Sequence, residues 1–263
     1  MNSLRVASFN VWSDAPKNAH WPARKDVVGE ALRRCEFDLA GLQEPTVSMI
    51  EDLQRALPEY GWIGAGRADG NSAGEFTPIF YRSARFERLK SETFWLAPDP
   101  KTPGRGWDAA CPRIVTWARF FDRAANRELA HFNTHFDHLG YRARRQSAHQ
   151  LLNVITELDP SIPVILTGDL NSRDSSAAYR ILTGKIPFAQ SADFRALRDT
   201  FYASEKPRVG PRRTYRGLLG LFGLGRIDYI FTNSRLRTLQ HTVRTDCPGA
   251  SDHWPVTADL FFA

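Results

Sequence analysis

The chain has 263 residues, of which 42% are hydrophobic and 24% charged, and its formal net charge is +6. This composition is typical of a globular protein with a sizeable core and excludes an intrinsically disordered chain. No stretch reaches the roughly 18 apolar residues of a membrane-spanning helix, and the N-terminus has no apolar run of signal-peptide length, so we expect a cytoplasmic protein. The three cysteines are widely spaced, which predicts reduced structural thiols.

Strands and helices are predicted to alternate in the first part of the chain. Leu4 to Trp12 is strand-like, and residues 22–36 carry apolar residues at helical spacing. A second strand, Phe37 to Gln43, places Glu44 at its end, and Thr46 to Leu57 again has a helical apolar stripe. This alternation is typical of an α/β fold.

The rest of the chain is richer in strands. These are predicted at Phe76 to Tyr81, Ile114 to Phe121, Leu129 to Thr134, Pro163 to Thr167, Ile227 to Thr232, Thr238 to Thr245 and Val256 to Phe262. Helices are predicted at Gln146 to Leu158 and Ser176 to Leu182, and residues 204–225 are irregular and rich in Arg and Gly. No repeat or linker divides the chain, so we expect one domain in which two sheets pack face to face with helices outside.

Polar side chains recur where the predicted strands end. These residues are Asn10, Glu44, His135, Asp169, Asn171, Asp228, Asp252 and His253. Any one of them is commonly only a turn residue. Strand ends are also where open α/β architectures bind their ligands. Together these side chains are the parts needed to hold a divalent metal, position a water and stabilise a phosphoryl transition state.

Six motifs in order carry a resemblance to a known superfamily. They are Phe9-Asn10-Val11-Trp12, Gly41-Leu42-Gln43-Glu44, Asn133-Thr134-His135-Phe136-Asp137-His138, Thr167-Gly168-Asp169-Leu170-Asn171-Ser172, Arg226-Ile227-Asp228-Tyr229-Ile230-Phe231 and Ser251-Asp252-His253. The succession resembles the endonuclease/exonuclease/phosphatase (DNase I-like) superfamily, and it is most similar to bacterial relatives of the Ccr4-type exoribonucleases. The resemblance implies a four-layered α/β sandwich as a single domain over residues 1–263, a bound Mg²⁺ or Mn²⁺ ion, and hydrolysis of a phosphate ester.

The resemblance also implies roles for the residues of these motifs. Glu44 would be the principal metal ligand, because a hard cation prefers carboxylate oxygens. Asn10 would hold that carboxylate or contact the metal, and Asp252 would provide a direct or outer contact. Asp169 would orient the attacking water, and Asn171 would donate to the phosphate.

Two histidines complete the expected catalytic set. His253, held in one tautomer by Asp228, would act either as a general base or as a charged hydrogen-bond donor to the phosphoryl group, depending on its pKa. His135 would stabilise charge on a phosphate oxygen.

Three further residues are candidates for substrate binding. Arg113 begins a strand and would bind the phosphate bidentately, with an ordinary surface ion pair as the alternative. His138 would line the pocket. Trp107 and Trp95 flank a Pro- and Gly-rich segment where a base or sugar could stack, and packing under a loop is the alternative.

The substrate is less constrained than the chemistry. Two groups of arginines would serve a nucleic-acid backbone or form only a solvated basic face; they are Arg142, Arg144, Arg145, Arg208, Arg212, Arg213 and Arg216. The apolar, glycine-spaced residues 217–225 would contact a lipid or pack against the fold. The leading hypothesis is a metal-dependent phosphodiesterase acting on RNA or DNA. The alternatives are a phosphatase or phosphodiesterase for a small metabolite or phospholipid headgroup, and a non-catalytic phosphate-binding module.

Overall fold

The computed structural model of the protein describes residues 3–13, 20–187, 196–217 and 225–263, and these ranges contain twelve strands and five helices. In chain order they are β1 (Leu4–Asn10), α1 (Trp21–Cys35), β2 (Leu39–Gln43), α2 (Val47–Ala56), β3 (Tyr60–Ile63), β4 (Ile79–Arg82), β5 (Phe86–Trp95), β6 (Ile114–Asp122), β7 (Arg127–His135), α3 (Tyr141–Thr156), β8 (Val164–Asp169), α4 (Ala177–Leu182), β9 (Arg198–Asp199), α5 (Thr200–Ala203), β10 (Asp228–Thr232), β11 (Leu236–Val243) and β12 (Val256–Phe262). Within the described ranges, none of the helices is long and apolar enough to cross a membrane.

Two six-stranded mixed sheets form the centre of the fold. The first has the strand order β11-β12-β1-β2-β4-β3, and the second has the order β5-β6-β7-β8-β10-β9. β1 pairs in parallel with β2, and β7 pairs in parallel with β8, whereas the other neighbouring strands are antiparallel. Each parallel pair is connected through one helix, α1 or α3, because parallel neighbours need a crossover connection.

Helices cover the outer faces of both sheets. α1 and α2 pack on the first sheet through buried residues such as Leu32 and Leu53. α3 and α4 pack on the second through residues such as Leu152 and Ile181. A third apolar cluster combines residues of both sheets and fills the space between them. The predicted four-layered α/β sandwich is therefore confirmed.

A buried polar network connects the sheets close to the strand ends. Asn133 of β7 donates to the Leu42 carbonyl at 2.7 Å and accepts from Gln43 Nε2 at 2.8 Å. Gly41 lies at this contact, where a Cβ atom would overlap the side chains of Thr167 and Asn133. The two sheets therefore approach closely here, and polar residues from both come within hydrogen-bonding reach.

The part of the chain that the structure describes contains four short or exposed elements that the sequence prediction missed, and one helix that begins earlier than predicted. Two of the missed elements, β9 and α5, have only two and four residues. β3 was not predicted because it has only four residues. β5 was not predicted because it is an edge strand whose central residues are exposed, so its sequence shows no alternation of apolar and polar residues. α3 begins at Tyr141, before the predicted start at Gln146. The reason is Asp108, whose carboxylate accepts from the backbone N–H groups of Arg142 and Ala143 at 3.1 and 2.6 Å. A cap supplied by a residue far away in sequence leaves no local signal of a helix start.

Candidate active site

Three polar residues lie side by side at the end of the second sheet. In strand register, His135 of β7 pairs with Asp169 of β8, which in turn pairs with Asp228 of β10. Asn10 ends β1 in the facing sheet, and its Nδ2 donates to Asp169 Oδ2 at 3.1 Å. The fold thus brings together predicted site residues that are far apart in sequence.

Glu44 follows β2 and is oriented by two donors. Asn10 Nδ2 lies 2.8 Å from Glu44 Oε1, and the Ser13 N–H donates to Oε2 at 2.9 Å. The Trp12 N–H fixes Asn10 in turn by donating to its Oδ1 at 3.0 Å. Glu44 and Trp12 have φ angles of 72° and 60°, a conformation that is strained for residues other than glycine and recurs at functional sites. In this structure Asn10 therefore orients the Glu44 carboxylate.

Glu44 and Asp252 offer the oxygen atoms best suited to a cation. Their side chains are 20% and 27% exposed, whereas those of Asp169 and Asp228 are buried. Burial raises the pKa of Asp252, and the neighbouring Glu44 charge raises it further. A hard divalent cation prefers such carboxylate oxygens and would relieve their repulsion. This donor set fits the expected Mg²⁺ or Mn²⁺ ion.

The strand-end residues described above form the rim of the candidate site, and a second group of metal-ligating side chains lies beside it, with two members close to His135 in the sequence. Cys111, Asp137 and His138 each place one ligand atom within 4.8 Å of the others. The Asp137 carboxylate already accepts three backbone N–H groups, and Arg113 Nε lies 3.5 Å from its Oδ2. A carboxylate surrounded by donors and a guanidinium is a poor cation ligand. This group therefore orders the loops around it.

His253 is held by Asp228. Its Nδ1 lies 2.8 Å from Asp228 Oδ2, and its Nε2 lies 3.8 Å from Asp169 Oδ2. Burial lowers the pKa of His253, but the charges of Asp228, Asp169 and Asp252 outweigh burial and raise it to about 10. The imidazole is therefore charged at neutral pH. Of its two expected roles, this favours the charged donor over the general base.

Asp169 lies at the centre of the rim. Its Oδ1 accepts from the Asn171 N–H at 2.8 Å, and its Oδ2 accepts from Asn10. Burial and the charge of Asp228 raise the pKa of Asp169 to about 7. A carboxyl group that titrates near neutral pH is suited to accept a proton from a water molecule.

His135 and Asn171 form the next contact along the rim. Asn171 Nδ2 lies 3.0 Å from His135 Nε2 and 2.9 Å from the Phe136 carbonyl oxygen, so the imidazole nitrogen accepts from the amide. Burial, together with the charges of Arg113 and Arg67, lowers the pKa of His135 well below its ordinary value. His135 is thus neutral and orients the Asn171 amide.

Two residues at the site had no role assigned from the sequence. Ser251 Oγ donates to the Asn10 carbonyl at 2.7 Å and accepts from the His253 N–H at 3.1 Å, so it joins the last motif to the end of β1. Tyr215 pairs with His253 through an isolated bridge, and their rings lie 5.0 Å apart. Tyr215 comes from the irregular stretch of the sequence, where no periodic pattern marks it.

The three candidate substrate-binding residues lie in different environments. Arg113 is buried, which contradicts the alternative of a surface ion pair, and its Nη2 lies 3.1 Å from Nδ1 of the exposed His138. Trp107 is half-buried and precedes the residue that caps α3. Trp95 is buried and donates to the Arg67 carbonyl at 2.8 Å, so it packs under the loop.

Several of the arginines expected to face a nucleic-acid backbone make structural contacts. Arg144 Nη1 donates to the Asp137 carbonyl, and Arg212 pairs with Asp174. The Arg208 and Arg216 guanidinium groups stack over aromatic rings of the fold. Arg142, Arg145 and Arg213 are exposed, and so are Arg208 and Arg212 despite these contacts. Of the apolar segment 217–225, residues 218–224 lie outside the described residues.

The protein belongs to the endonuclease/exonuclease/phosphatase family, whose family model matches residues 7–253. This confirms the superfamily predicted from the six motifs. Members of the family hydrolyse phosphate esters and generally use divalent metals. No curated protein sequence matches the chain.

Solved structures of the same family cover the whole chain. An endonuclease/exonuclease/phosphatase from Bacteroides vulgatus is 37% identical, with a TM-score of 0.91 over 100% of both chains. A mannosyl-6-phosphatase from Bacteroides thetaiotaomicron is 31% identical, with a TM-score of 0.88 over 98% of this chain and 100% of the other. The catalytic domain of human Nocturnin is 18% identical over 99% of this chain and 95% of the other, and its TM-score of 0.76 shows the shared fold alone.

Proposed function

We propose that the protein is a Mg²⁺- or Mn²⁺-dependent hydrolase of a phosphate ester on a small metabolite, such as a sugar phosphate. The observation that carries the hydrolase activity is the rim itself, where the open carboxylates of Glu44 and Asp252 lie near the buried His253–Asp228 pair. This arrangement combines a cation site, a charged donor and a carboxylate of near-neutral pKa, the parts that phosphoryl transfer requires.

The residues of the rim have separate roles in the proposed reaction. Glu44 and Asp252 would hold the cation, which when bound supplies positive charge for the phosphoryl oxygens. Asp169 orients the water and accepts its proton as the water oxygen bonds to phosphorus and the bond to the leaving oxygen breaks, and the leaving oxygen takes up a proton from solvent water to give the alcohol. His253 donates from Nε2 to a phosphoryl oxygen. Asn171 adds a second donor when one of its two N–H groups exchanges its partner, His135 Nε2 or the Phe136 carbonyl oxygen, for a phosphoryl oxygen.

Two observations favour a small substrate over a polymer. The mannosyl-6-phosphatase that is 31% identical aligns over nearly the whole of both chains. In addition, four of the seven arginines that would follow a nucleic-acid backbone are engaged in contacts within the protein.

A nuclease is the second candidate. The exposed Arg142, Arg145 and Arg213, together with the net charge of +6, favour attraction of a polyanion. Binding of a polymer through many phosphates would weaken steeply with salt, because bound counterions are released.

The test is a hydrolysis screen with Mg²⁺, Mn²⁺ or EDTA. Hexose 6-phosphates, p-nitrophenyl phosphate, bis-p-nitrophenyl phosphate, single-stranded RNA and single-stranded DNA are compared for wild type, Glu44→Gln and His253→Gln. We expect metal-dependent release of phosphate from a hexose phosphate, lost in both variants. Arg237→Gln, which removes an exposed ion pair with Glu205, serves as the control and should retain activity.

Other outcomes of this screen would redirect the assignment. Faster cleavage of RNA or DNA than of any small ester, with a steep salt dependence, would favour the nuclease. Absence of turnover on every substrate, with retained phosphate binding, would favour the non-catalytic module.

A further inference from the structure

A small recess lies beside the catalytic rim and was not anticipated from the sequence. Its volume is about 10 Å³, which is room for about one water molecule or one oxygen atom, and it is lined by Arg67, Glu75, Phe76, Thr77, Arg113, Ile114 and His135. His135 belongs to both regions, because its Nε2 lies 3.6 Å from Asp169 Oδ2 at the rim. The recess is therefore continuous with the place where phosphorus would react.

Arg113 is an incompletely paired cation in this recess. Its side chain is only 5% exposed, and within the described part of the chain neither Nε nor Nη1 has a hydrogen-bond partner. Nη2 contacts His138, and Asp137 lies at ion-pair distance from Nε. A buried guanidinium with unpaired N–H groups is unfavourable unless an acceptor completes it. An oxyanion is the acceptor whose geometry and charge fit.

Arg67 supplies a second guanidinium from a rigid loop. Its Nη1 lies 2.6 Å from Glu75 Oε2, and its N–H donates to the Glu75 carbonyl at 3.0 Å. Trp95 Nε1 donates to the Arg67 carbonyl. Arg67 and Arg113 both line the recess together with His135. The Glu75 and Asp137 carboxylates balance the two guanidinium charges, so it is the unpaired N–H groups of Arg113 that favour an anionic acceptor in the recess.

We propose that this recess receives one oxygen of a terminal, doubly charged phosphoryl group, and that it makes the enzyme selective for phosphomonoesters over phosphodiesters. The proposal rests on the hydrolase function proposed above. A monoester carries more negative charge and has one more unsubstituted oxygen than a diester. The rest of the recess is lined by the largely apolar side chains of Phe76, Thr77 and Ile114. A second ester-linked group placed there would contact these side chains. The recess thus accepts an oxygen and excludes a chain.

The metal-ligating side chains next to the recess do not make it a cation site. The Cys111, Asp137 and His138 group could hold a metal only beside the Arg113 guanidinium, which would repel it. The positive charge at this position therefore favours an anion as the ligand.

The experiment compares kcat/KM for p-nitrophenyl phosphate and bis-p-nitrophenyl phosphate in wild type, Arg67→Met and Arg113→Lys. We expect wild type to prefer the monoester and each variant to lower the monoester-to-diester ratio by about tenfold, mainly through KM, because a charge-assisted hydrogen bond is lost. Arg119→Met is the matched control, since Arg119 lies on the adjoining strand β6 in a half-exposed ion pair with Glu128. Its ratio should equal that of wild type.

A binding measurement separates this proposal from the proposed function. Calorimetric titration with inorganic phosphate in EDTA should show weaker binding to Arg67→Met than to wild type, also by about tenfold. If phosphate binds in this way but no ester is hydrolysed, the proposed function is wrong and the recess assignment stands. Equal phosphate affinity and an equal substrate ratio in Arg67→Met and wild type would overturn the recess assignment. Arg67 is partly exposed, so this variant tests the proposal even if the buried Arg113→Lys variant fails to fold.

Discussion

His253 and His135 have opposite charge states although both lie close to one carboxylate oxygen. Their Nε2 atoms are 3.8 and 3.6 Å from Asp169 Oδ2. Both rings are buried, which disfavours the charged form of each. His253 is charged because Asp228 lies behind it, and His135 is neutral because Arg113 and Arg67 lie on its side of the rim. The residue behind each ring, and not the shared neighbour, decides its protonation state.

The largest expected effect is the loss of this difference in Asp228→Asn. The amide preserves the shape of the side chain but removes the charge that keeps His253 protonated, so its pKa should fall. We expect kcat to decrease on the order of 10³-fold, as when a buried carboxylate partner of a catalytic histidine is neutralised. Histidine titration by NMR and steady-state kinetics measure the two effects.

Asp122→Asn is the matched control for this substitution. Asp122 is also fully buried, but it pairs with Arg85 at 2.7 Å away from the rim. Its variant should be less stable and retain kcat. Normal turnover in Asp228→Asn would show that His253 does not need its charge.

His135 ends a strand of the second sheet and His253 precedes β12 of the first sheet. The two sheets approach closely at Gly41. In Gly41→Ala the added methyl group overlaps Thr167 and Asn133, so the sheets must separate or distort. We expect the free energy of unfolding to decrease by about 3 kcal/mol, as for overpacking of a buried site. Chemical denaturation followed by tryptophan fluorescence measures this change. A stability equal to that of wild type would mean that the sheets can move apart at little cost.

Glu44→Gln changes the proposed metal ligand and leaves both histidines and Asp228 in place. The amide keeps an oxygen but loses the negative charge that a hard cation requires. We expect Mn²⁺ affinity to fall by roughly 50-fold, within the range seen when metal sites are altered. Electron paramagnetic resonance of free Mn²⁺ measures binding directly. Glu128→Gln, at a remote ion pair, should bind as wild type does, and equal affinity in Glu44→Gln would contradict the assigned ligand.

A further expected effect is on stability as a function of pH in EDTA. The pKa of His253 is about 10 in the folded protein and near 6.5 when unfolded. Its stabilising contribution is therefore complete below about pH 6.5 and is lost as pH rises through about 10. The free energy of unfolding should decline between pH 7 and 10, and less so in Asp228→Asn. Parallel declines in both proteins would show that other groups cause the change.

The meeting of the strand-end residues at one rim could be predicted because strand ends are visible in the sequence. Apolar runs followed by Asp169 or Glu44 fix where a strand stops, and the topology of an α/β fold brings such ends together. The motifs then identified Asp228 as the partner of His253, a contact that the structure contains.

The loops around the rim could not be predicted in the same way. Arg67 reaches the recess through a loop fixed by Trp95 and Glu75, contacts that no periodic pattern encodes. The start of α3 depends on Asp108 and was placed too late for the same reason. In both cases the deciding partner is distant in sequence, and propensity describes only near neighbours.

The hydrogen bond from Ser251 to the Asn10 carbonyl joins residues 241 positions apart, and β1 and β12 pair beside it. Contacts between such distant residues form late in folding, because the chain must close a long loop first. During synthesis on a ribosome, the residues between Asn10 and His253 must all be made before these two can approach each other. The candidate site is therefore complete only when both outer motifs have docked.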